Sequence, residues 1–411
     1  MAMLATASIP IQSVLTLPRP SSARTRFLSN GTATKSNNSM KRTRSQSSTS
    51  VTSSARWSAL PEAVQHEMVS YFSVEELLVL EQVDPLWQIA IANAGTWNTF
   101  ILRNERDDEA NERLIEQVAT RHGRQVQCLK LINSAFSDEA IVALGANFTS
   151  VTELVVSGCK TLSDAGLAAL LSASSQSLVE LRAVKCPLLT DSSLSLLGSQ
   201  HGAVLRRVDF SHCRLVTSEG VRALVSTSND LQSFGLKGCP KVNDATVLLL
   251  AASCPSLEVL AVGGSGTITD NALIALGEQC SGLMSLDIAH SNPFGMGRTG
   301  VTDVGLTHLI TKCRSLEHLV LRGQGNLSVA VLSTLAQHSS NLRSLEIGGC
   351  RGIVQNPLAL CGALKGLAVL EHLSVSFCRG LTEEDIHSIA TECSQLKSFD
   401  VDGRAVVPRS S

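Results

Sequence analysis

The sequence contains few aromatic residues. Aromatic residues make up 3% of its 411 residues and include a single tyrosine. Hydrophobic residues of all kinds, by contrast, make up 44%. A thin slab filled by leucine, valine, isoleucine and alanine fits this composition better than a bulky globular core. No stretch approaches the roughly 18 unbroken apolar residues that a membrane-spanning helix needs. We therefore expect a soluble protein with an aliphatic core.

The sequence also lacks the residue patterns of common catalytic, metal and nucleotide sites. Its 12 cysteines include no C-x-x-C pair, and its ten histidines are scattered without an H-E-x-x-H motif. The glycine-rich stretch Gly263–Gly266 is not followed by the Lys-Ser/Thr of a phosphate-binding loop. We therefore predict a non-catalytic protein with no metal and no cofactor.

The charge is divided unevenly along the chain, although the formal net charge is only −2. Residues 1–56 hold eight basic residues and no acidic one; the rest of the chain holds the other 26 basic and all 36 acidic residues. The body therefore carries a formal charge of −10. An acidic body argues against a nucleic-acid-binding protein, and nothing indicates a membrane partner.

The first 56 residues are rich in serine, threonine and arginine and have little to bury. This composition predicts a disordered tail. Its acid-free, mildly apolar start is also typical of organelle transit peptides, and Lys41–Arg44 resembles a weak nuclear signal. We expect a plain disordered tail on a cytoplasmic or nuclear protein, with organelle import as the alternative.

One segment recurs along the body of the chain. CKTLSDAGLAAL begins at Cys159, and related segments begin at Cys186, Cys213, Cys239 and Cys378. The first four are separated by 27, 27 and 26 residues. A fixed period of 20 to 29 residues is the signature of a leucine-rich solenoid, which grows by stacking and needs no single large core.

Each repeat begins with the pattern L-x-x-L-x-L, as in Leu178, Leu181 and Ala183. Alternate residues of a strand lie on one face, so these anchors form a shared core when strands stack in parallel. A polar residue suited to a helix N-cap then opens a helical half. Residues 126–403 thus predict about ten strand–turn–helix repeats plus a terminal half, followed by a C-terminal tail at 404–411. The predicted caps are Ser137, Ser163, Thr190, Thr217, Asn243, Thr269, Thr302 and Ser328.

The cysteines occupy two fixed positions of the repeat. Some equivalent positions hold serine instead, such as Ser265 and Ser175, an exchange that a metal site or a disulfide framework would not tolerate. The pattern therefore predicts buried, reduced, structural thiols. Ten of the 12 belong to these positions: Cys159, Cys186, Cys213, Cys239, Cys350 and Cys378 after the strand, and Cys254, Cys280, Cys313 and Cys393 before the next one.

This repeat pattern resembles the cysteine-containing class of leucine-rich repeats. The resemblance implies an α/β solenoid, with a curved parallel sheet on the concave side and helices outside. It covers residues 126–403 and does not by itself define a function. Residues 101–125 are charged and helix-prone, and they resemble the helical half of a repeat lacking its strand. We interpret them as a linker that caps the first strand.

Residues 57–100 do not follow the repeat and predict a compact module of three helices. Pro61 suits a first helical turn, Ser73 a helix cap, and Asp84–Pro85 a break before the third helix. The stretch resembles an F-box in its order of motifs, although the family usually has a Cys or Ser and a basic residue where Asp84–Pro85 stands. The matching elements are Leu60–Pro61, Met68–Phe72, Glu76–Leu80, Val83–Trp87 and Trp97.

The resemblance implies that the module binds the small Skp-type adaptor subunit of a cullin–RING ubiquitin ligase, while the repeats hold a protein substrate. Two alternatives remain open: a repeat scaffold or receptor outside the ubiquitin system, and an organelle-imported interaction protein. By analogy with the family, the adaptor-binding residues are Leu60, Pro61, Val64, Met68, Phe72, Leu77 and Leu78.

The predicted concave face carries a mixture of charged and small residues that suits a protein or peptide partner. The seventh repeat is 33 residues long, and its extra segment His290–Gly300 places two large apolar residues in a Gly/Pro-containing loop. Such insertions often mark binding sites, although a tolerated surface insertion is an alternative. The predicted substrate-binding residues are Arg182, Lys185, Arg206, Asp209, His212, Lys237, Asp287, Phe294, Met296 and Arg322.

Overall fold

The structure is a computed structural model that describes residues 60–103, 108–174, 177–292, 294, 299–378, 380–402 and 404–406. The predicted tail of residues 1–56 therefore lies outside the described residues, as does most of the predicted C-terminal tail. Met296, in the insertion of the seventh repeat, also lies outside them.

Three short helices form the N-terminal module: α1 (Glu62–Val69), α2 (Val74–Val83) and α3 (Pro85–Asn93). Helix α2 begins with a capping box, in which Ser73 Oγ accepts from the Glu76 amide and Glu76 accepts from the Ser73 amide. The Asp84 carboxylate accepts from the Leu86 amide and so caps α3. The predicted break at Asp84–Pro85 is thereby confirmed.

Within the described residues, thirteen strands form one sheet whose spatial order follows the chain. Strands β1 to β12 pair in parallel, and equivalent anchors face each other, as Leu181 faces Leu154 and Val208. This is the predicted parallel sheet. The strands are β1 (Thr99–Arg103), β2 (Cys128–Ile132), β3 (Glu153–Ser157), β4 (Glu180–Arg182), β5 (Arg207–Asp209), β6 (Ser233–Gly235), β7 (Val259–Ala261), β8 (Ser285–Asp287), β9 (His318–Val320), β10 (Ser344–Glu346), β11 (His372–Ser374), β12 (Ser398–Val401) and β13 (Arg404–Val406).

A helix follows each parallel strand from β1 to β11, so the α/β solenoid is confirmed. A 3₁₀ turn at Thr96–Asn98 leads into β1, and one repeat carries two helices, α13 and α14. The helices are α4 (Asp108–His122), α5 (Asp138–Gly145), α6 (Asp164–Ala173), α7 (Asp191–His201), α8 (Ser218–Val225), α9 (Asp244–Ser253), α10 (Asp270–Gln279), α11 (Asp303–Lys312), α12 (Ala330–His338), α13 (Arg351–Val354), α14 (Pro357–Lys365) and α15 (Glu383–Glu392).

Side-chain hydrogen bonds connect successive helix starts along the solenoid. The first-turn aspartate of one helix accepts from both the amide and the hydroxyl of the cap residue in the next repeat, as Asp191 does from Thr217. This Asp–hydroxyl ladder is interrupted at α8, where Ser218 stands in the aspartate position and bonds Thr246 instead. The other ladder pairs are Asp138–Ser163, Asp164–Thr190, Asp244–Thr269, Asp270–Thr302 and Asp303–Ser328.

Both ends of the sheet differ from the sequence prediction. The segment interpreted as a half-repeat without a strand has one, because β1 pairs with β2 over five residues and buries Phe100 and Leu102. Its alternating burial places β1 in the solenoid, although part of it falls in the predicted helical module. At the other end, β13 turns back and pairs antiparallel with β12. Strand β13 therefore covers an edge that would otherwise be open.

The buried apolar side chains form one continuous core that runs from Val69 in the module to Phe399 in β12. The predicted anchors fill it, and Leu181, Ala183 and Phe210 are all 0% exposed. The module thus packs on the first repeats through the same core. Among the residues that the structure describes, no helix has the length and apolar character needed to cross a bilayer.

Candidate functional site

The N-terminal module leaves apolar side chains exposed along α1. Val64 and Met68 lie four residues apart on one helical face and are 39% and 38% exposed. Pro61, at the start of the helix, is also exposed, and Leu60 is partly buried. This row of side chains contains four of the seven residues that the F-box resemblance assigns to adaptor binding.

The other three assigned residues pack inside the chain. Leu77 and Leu78 are 3% and 2% exposed and belong to the continuous core. Phe72 is partly buried and meets Trp87 edge to face, with ring centroids 5.5 Å apart. The structure therefore separates the seven predicted residues into an outward row and a set that supports the module from within.

On the concave face, Glu180 lies between two arginines. Its side chain is 6% exposed, and the guanidinium groups of Arg182 and Arg207 each donate to one of its carboxylate oxygens at 2.5 Å. The cluster carries one net positive charge. Sequence reasoning missed Glu180 and Arg207 because it followed the column between the second and third anchors, and these residues occupy the column before the second anchor.

The centre of the concave face carries the small residues Gly235, Ala261 and Gly263, and we call this region the basin. The carboxylates of Asp209 and Asp287 lie over Gly235 and Gly263, since a Cβ at either glycine would overlap the carboxylate. The Lys237 side chain extends across the repeat of β7, and its Nζ donates to the Asp287 carboxylate at 2.6 Å. The structure thus brings the predicted residues Asp209, Lys237 and Asp287 into one basin.

Two further predicted residues, Lys185 and His212, lie where the chain turns after each strand. Both are exposed, and both have left-handed backbones with φ of 59° and 63°. Gly238 has the same conformation one repeat after His212, and its missing side chain leaves room for the imidazole. Partial desolvation of the imidazole lowers the pKa of His212, and the nearby cations Lys185 and Lys237 lower it further.

Arg206 and Arg322 lie apart from this basin. Arg206 precedes β5, where its guanidinium donates to the carbonyls of Ala203 and Leu205 and approaches Asp230 at 3.4 Å. It belongs to the opposite edge of the sheet, so its prediction as a neighbour of Asp209 and His212 on the substrate face is wrong in position. Arg322 follows β9 and pairs with Glu346 at 3.2 Å.

The insertion of the seventh repeat reaches along the solenoid. Phe294 meets Phe377, three repeats later, with ring centroids 5.3 Å apart, and its carbonyl accepts from Arg351 Nε at 3.1 Å. Both phenylalanine side chains are 40% exposed. The insertion therefore joins distant repeats through an exposed aromatic pair, a contact that the prediction for Phe294 did not foresee.

A cavity of about 270 Å³ lies beside the start of this insertion. Its lining includes Ile268, Ile288, His290 and Gln324. Gln324 stands where other repeats have a cysteine, and its Nε2 donates to the Ile288 carbonyl at 2.7 Å. The glutamine thus replaces the cysteine hydrogen bond in the repeat that follows the insertion.

The cysteines after the strands perform the same structural task in each repeat. Cys213 Sγ donates to the Ala183 carbonyl at 2.9 Å, and Ser265 Oγ makes the equivalent bond to Leu236 at 2.8 Å. All 12 cysteines are free, and ten are buried. The prediction of structural, unpaired thiols is confirmed. Within the described part of the chain, no group of three His, Cys, Asp or Glu residues could hold a metal ion.

Comparisons with known proteins agree with this architecture. A family model described as a leucine-rich repeat matches residues 149–171 and 203–225. The chain is 26% identical over 174 residues to an F-box/LRR-repeat MAX2 homolog from Oryza sativa subsp. japonica, covering 38% of this chain. It is also 26% identical over 179 residues to the F-box protein SKIP1 from Arabidopsis thaliana, covering 41% of this chain.

The chain is similar to F-box/leucine-rich-repeat proteins. These alignments span 23% and 58% of the two relatives, which is less than two thirds of their lengths. A chain in the crystal structure of the Rad7 and Elc1 complex in yeast matches the fold, with a TM-score of 0.58 and 16% identity. That match covers 84% of this chain and 89% of the other chain.

Proposed function

We propose that this protein is the substrate-recognition subunit of a Skp/cullin/F-box-type ubiquitin ligase. The module of residues 60–100 binds the adaptor subunit, and the concave side of the repeats holds a protein substrate. The names of two relatives, which carry the term F-box, support this assignment. The role belongs in the cytoplasm or the nucleus.

The observation that carries the proposal is the exposed apolar row on α1. Val64 and Met68 remain more than one third exposed beside Pro61, although the same module buries Leu77 and Leu78 almost completely. Apolar side chains that stay together in water at one end of a chain favour a partner that covers them. Leu77 and Leu78 hold α2 against the core and so support the shape of this surface.

The proposed mechanism is proximity, and no residue of this chain carries out chemistry. The N-terminal module binds the ligase through the adaptor, and the concave side of the repeats presents the substrate. Tethering raises the effective concentration of a substrate lysine near the ubiquitin-carrying enzyme. The continuous core between module and repeats suits this role because it keeps the two binding surfaces in a fixed relation.

The decisive experiment measures the affinity of the full chain for a purified Skp-type adaptor. Met68→Glu places a charge in the exposed row and should weaken binding by at least about tenfold, since an unpaired charge must be desolvated in the interface. Leu60→Ala/Pro61→Ala should weaken it as well. The matched control is Val142→Glu, which adds the same charge at a valine that is 52% exposed on α5.

A folded wild-type chain that does not bind the adaptor would overturn the proposal. The protein would then be a repeat scaffold outside the ubiquitin system, with the module acting as an N-terminal cap. Equal losses in Met68→Glu and Val142→Glu would also contradict an adaptor surface on α1.

A further inference from the structure

A group of basic side chains lies at the carboxyl ends of strands β3 to β6. Each follows the last buried anchor of its strand by one to five residues, and the strands are parallel, so all of them lie at the same edge of the sheet. We call this group the basic edge. It consists of Lys160, Lys185, His212, Arg214, Lys237 and Lys241.

Most of these cations have no carboxylate partner. Lys160, Lys185, Arg214 and Lys241 are exposed, and none of the four forms a salt bridge with another described residue. Cations elsewhere on the same face are paired, as Lys130 is with Glu153 and Arg322 with Glu346. The basic edge is therefore a place where positive charge remains available.

The backbone conformation at Lys185 and His212 is a second, independent observation. Equivalent turns in other repeats use Gly158, Gly238 and Gly264 for the same left-handed conformation, and two further repeats use Asn133 and Phe377. A residue with a Cβ adopts that conformation at a cost that glycine avoids. Such residues are concentrated at functional sites, and here two of them in adjacent repeats present a lysine and a histidine at the solvent-exposed edge.

Nearby acidic residues do not neutralise the edge. Asp287 is already occupied by Lys237, and Glu180 is shared by Arg182 and Arg207. Asp209 is the remaining carboxylate beside His212, and one of its oxygens accepts from the Ser211 amide at 2.8 Å. A positive excess thus lies on a body whose formal charge is −10.

We propose that the basic edge binds an acidic, Asp/Glu-rich peptide segment of the substrate. The inference rests on the proposed substrate-receptor function and adds the chemical class that the receptor recognises. Successive strands lie about 4.8 Å apart, so Lys160 and Arg214, two repeats apart, are about 10 Å apart along the solenoid. An extended peptide that crosses these repeats can offer carboxylates to Lys160, Lys185 and Arg214 in turn.

Charge also argues against two other ligands of the basic edge, the N-terminal residues of this chain and a nucleic acid. The basic residues 1–56 of this chain contain no Asp or Glu, so they would be repelled by the edge. A nucleic acid would be repelled by the body of the chain, whose formal charge is −10. An acidic peptide is short enough to remain on the basic edge.

The test uses the full chain and a fluorescent peptide of alternating glutamate and alanine, with an alternating glutamine and alanine peptide as the neutral comparison. The glutamate peptide should bind, more weakly as salt rises, because the contacts are exposed and screened. Lys185→Asp/Arg214→Glu should weaken binding by at least about tenfold, since it replaces attraction by repulsion. Aspartate is chosen at position 185 because it tolerates a left-handed backbone.

The matched control is Arg124→Glu/Arg314→Glu, which changes the net charge equally at two exposed arginines away from the edge. This control should bind the glutamate peptide like the wild type. The inference is overturned if the wild type does not bind that peptide or binds the glutamine peptide equally well. It is also overturned if the control loses as much affinity as the edge variant.

Adaptor affinity, measured on the same variants, separates this inference from the proposed function. Lys185→Asp/Arg214→Glu should retain adaptor binding, and Met68→Glu should retain peptide binding. Peptide binding without any adaptor binding would remove the ligase assignment and leave the basic edge as a peptide site. Adaptor binding without peptide binding would support the ligase assignment and overturn the basic edge as a peptide site.

Discussion

The imidazole of His122 stacks on the indole of Trp97, with ring centroids 4.1 Å apart and the two planes inclined by 4°. Both rings also contact Glu81, whose carboxylate accepts from Trp97 Nε1 at 2.7 Å and lies 2.8 Å from His122 Nε2. Glu81 is on α2 of the module, and His122 ends α4. These three side chains therefore join the module to the first turn of the solenoid.

Replacing Glu81 by alanine should weaken this junction. The change leaves Trp97 Nε1 and His122 Nε2 without their acceptor in a largely buried place, so we expect the free energy of unfolding to fall by about 2–4 kcal/mol. Urea unfolding followed by tryptophan fluorescence measures it. Glu67→Ala, at an exposed glutamate on α1, should change stability by less than about 0.5 kcal/mol. Similar losses in both variants would argue against a specific junction.

Asp164, one carboxylate of the Asp–hydroxyl ladder, predicts a pH dependence of stability. Burial alone would raise the pKa of Asp164, but hydrogen bonds from Ser193 and Thr190 lower it overall. A carboxylate with a lowered folded pKa contributes its full stability above its unfolded pKa of about 3.9, and the contribution is lost as pH falls through the folded pKa. Asp164→Asn should therefore unfold at lower urea at neutral pH and approach the wild type in acid.

The matched comparison for this pH series is Asp230→Asn. Asp230 has a side chain that is 66% exposed and pairs with Arg206 at 3.4 Å, so its contribution should be small at every pH. A difference between wild type and Asp164→Asn that stayed constant from neutral to acid pH would contradict the assigned hydrogen bonds.

Two helical glycines should respond oppositely to alanine. A Cβ at Gly220 would overlap the Asp191 carboxylate of the ladder, whereas a Cβ at the exposed Gly362 in α14 would meet no atom within 4 Å. We expect Gly220→Ala to destabilise by about 1–3 kcal/mol and Gly362→Ala to stabilise by about 0.5–1 kcal/mol. Thermal unfolding of both variants decides this. A stabilising Gly220→Ala would show that the ladder does not restrict the helix spacing.

The cysteine column should tolerate serine better than alanine. Cys213→Ser keeps a donor for the Ala183 carbonyl, as Ser265 does in its own repeat, and should cost less than about 1 kcal/mol. Cys213→Ala removes the donor and leaves a small void, which should cost about 1–3 kcal/mol. Chemical denaturation of the two variants measures the difference. Equal stabilities would mean that the sulfur contributes packing alone.

The buried thiols should be chemically inert in the folded protein. Burial raises the pKa of Cys213, Cys254 and Cys350 to about 12, so almost no thiolate is present at pH 8. Alkylation followed by mass spectrometry should label these cysteines only after denaturant is added, and the partly exposed Cys128 and Cys378 should react earlier. Rapid labelling of Cys213 in the native chain would contradict the structural assignment.

The repeat pattern was sufficient for predicting the solenoid because each anchor is defined by local spacing. Leu178, Leu181 and Ala183 occupy positions with strand periodicity, and the core they form requires only that the next repeat has the same pattern. The caps were readable for the same reason, since Thr190 or Thr217 satisfies an amide two residues away. By contrast, β1 was missed because its buried anchors Trp97, Phe100 and Leu102, which have the same spacing, fall where the sequence was divided between the helical module and the linker.

The sequence by itself determined the repeat type, the aliphatic core, the structural cysteines and the positions at which strands and helices begin. All of these depend on spacings within about one repeat. Only the tertiary structure decided that Arg182 and Arg207 share Glu180, that Phe294 reaches Phe377, and that His122 stacks on Trp97. Apart from the local pair of Arg182 and Glu180, those contacts join residues 25 to more than 80 positions apart in the chain. Their geometry follows from how the repeats stack, which no local periodicity specifies.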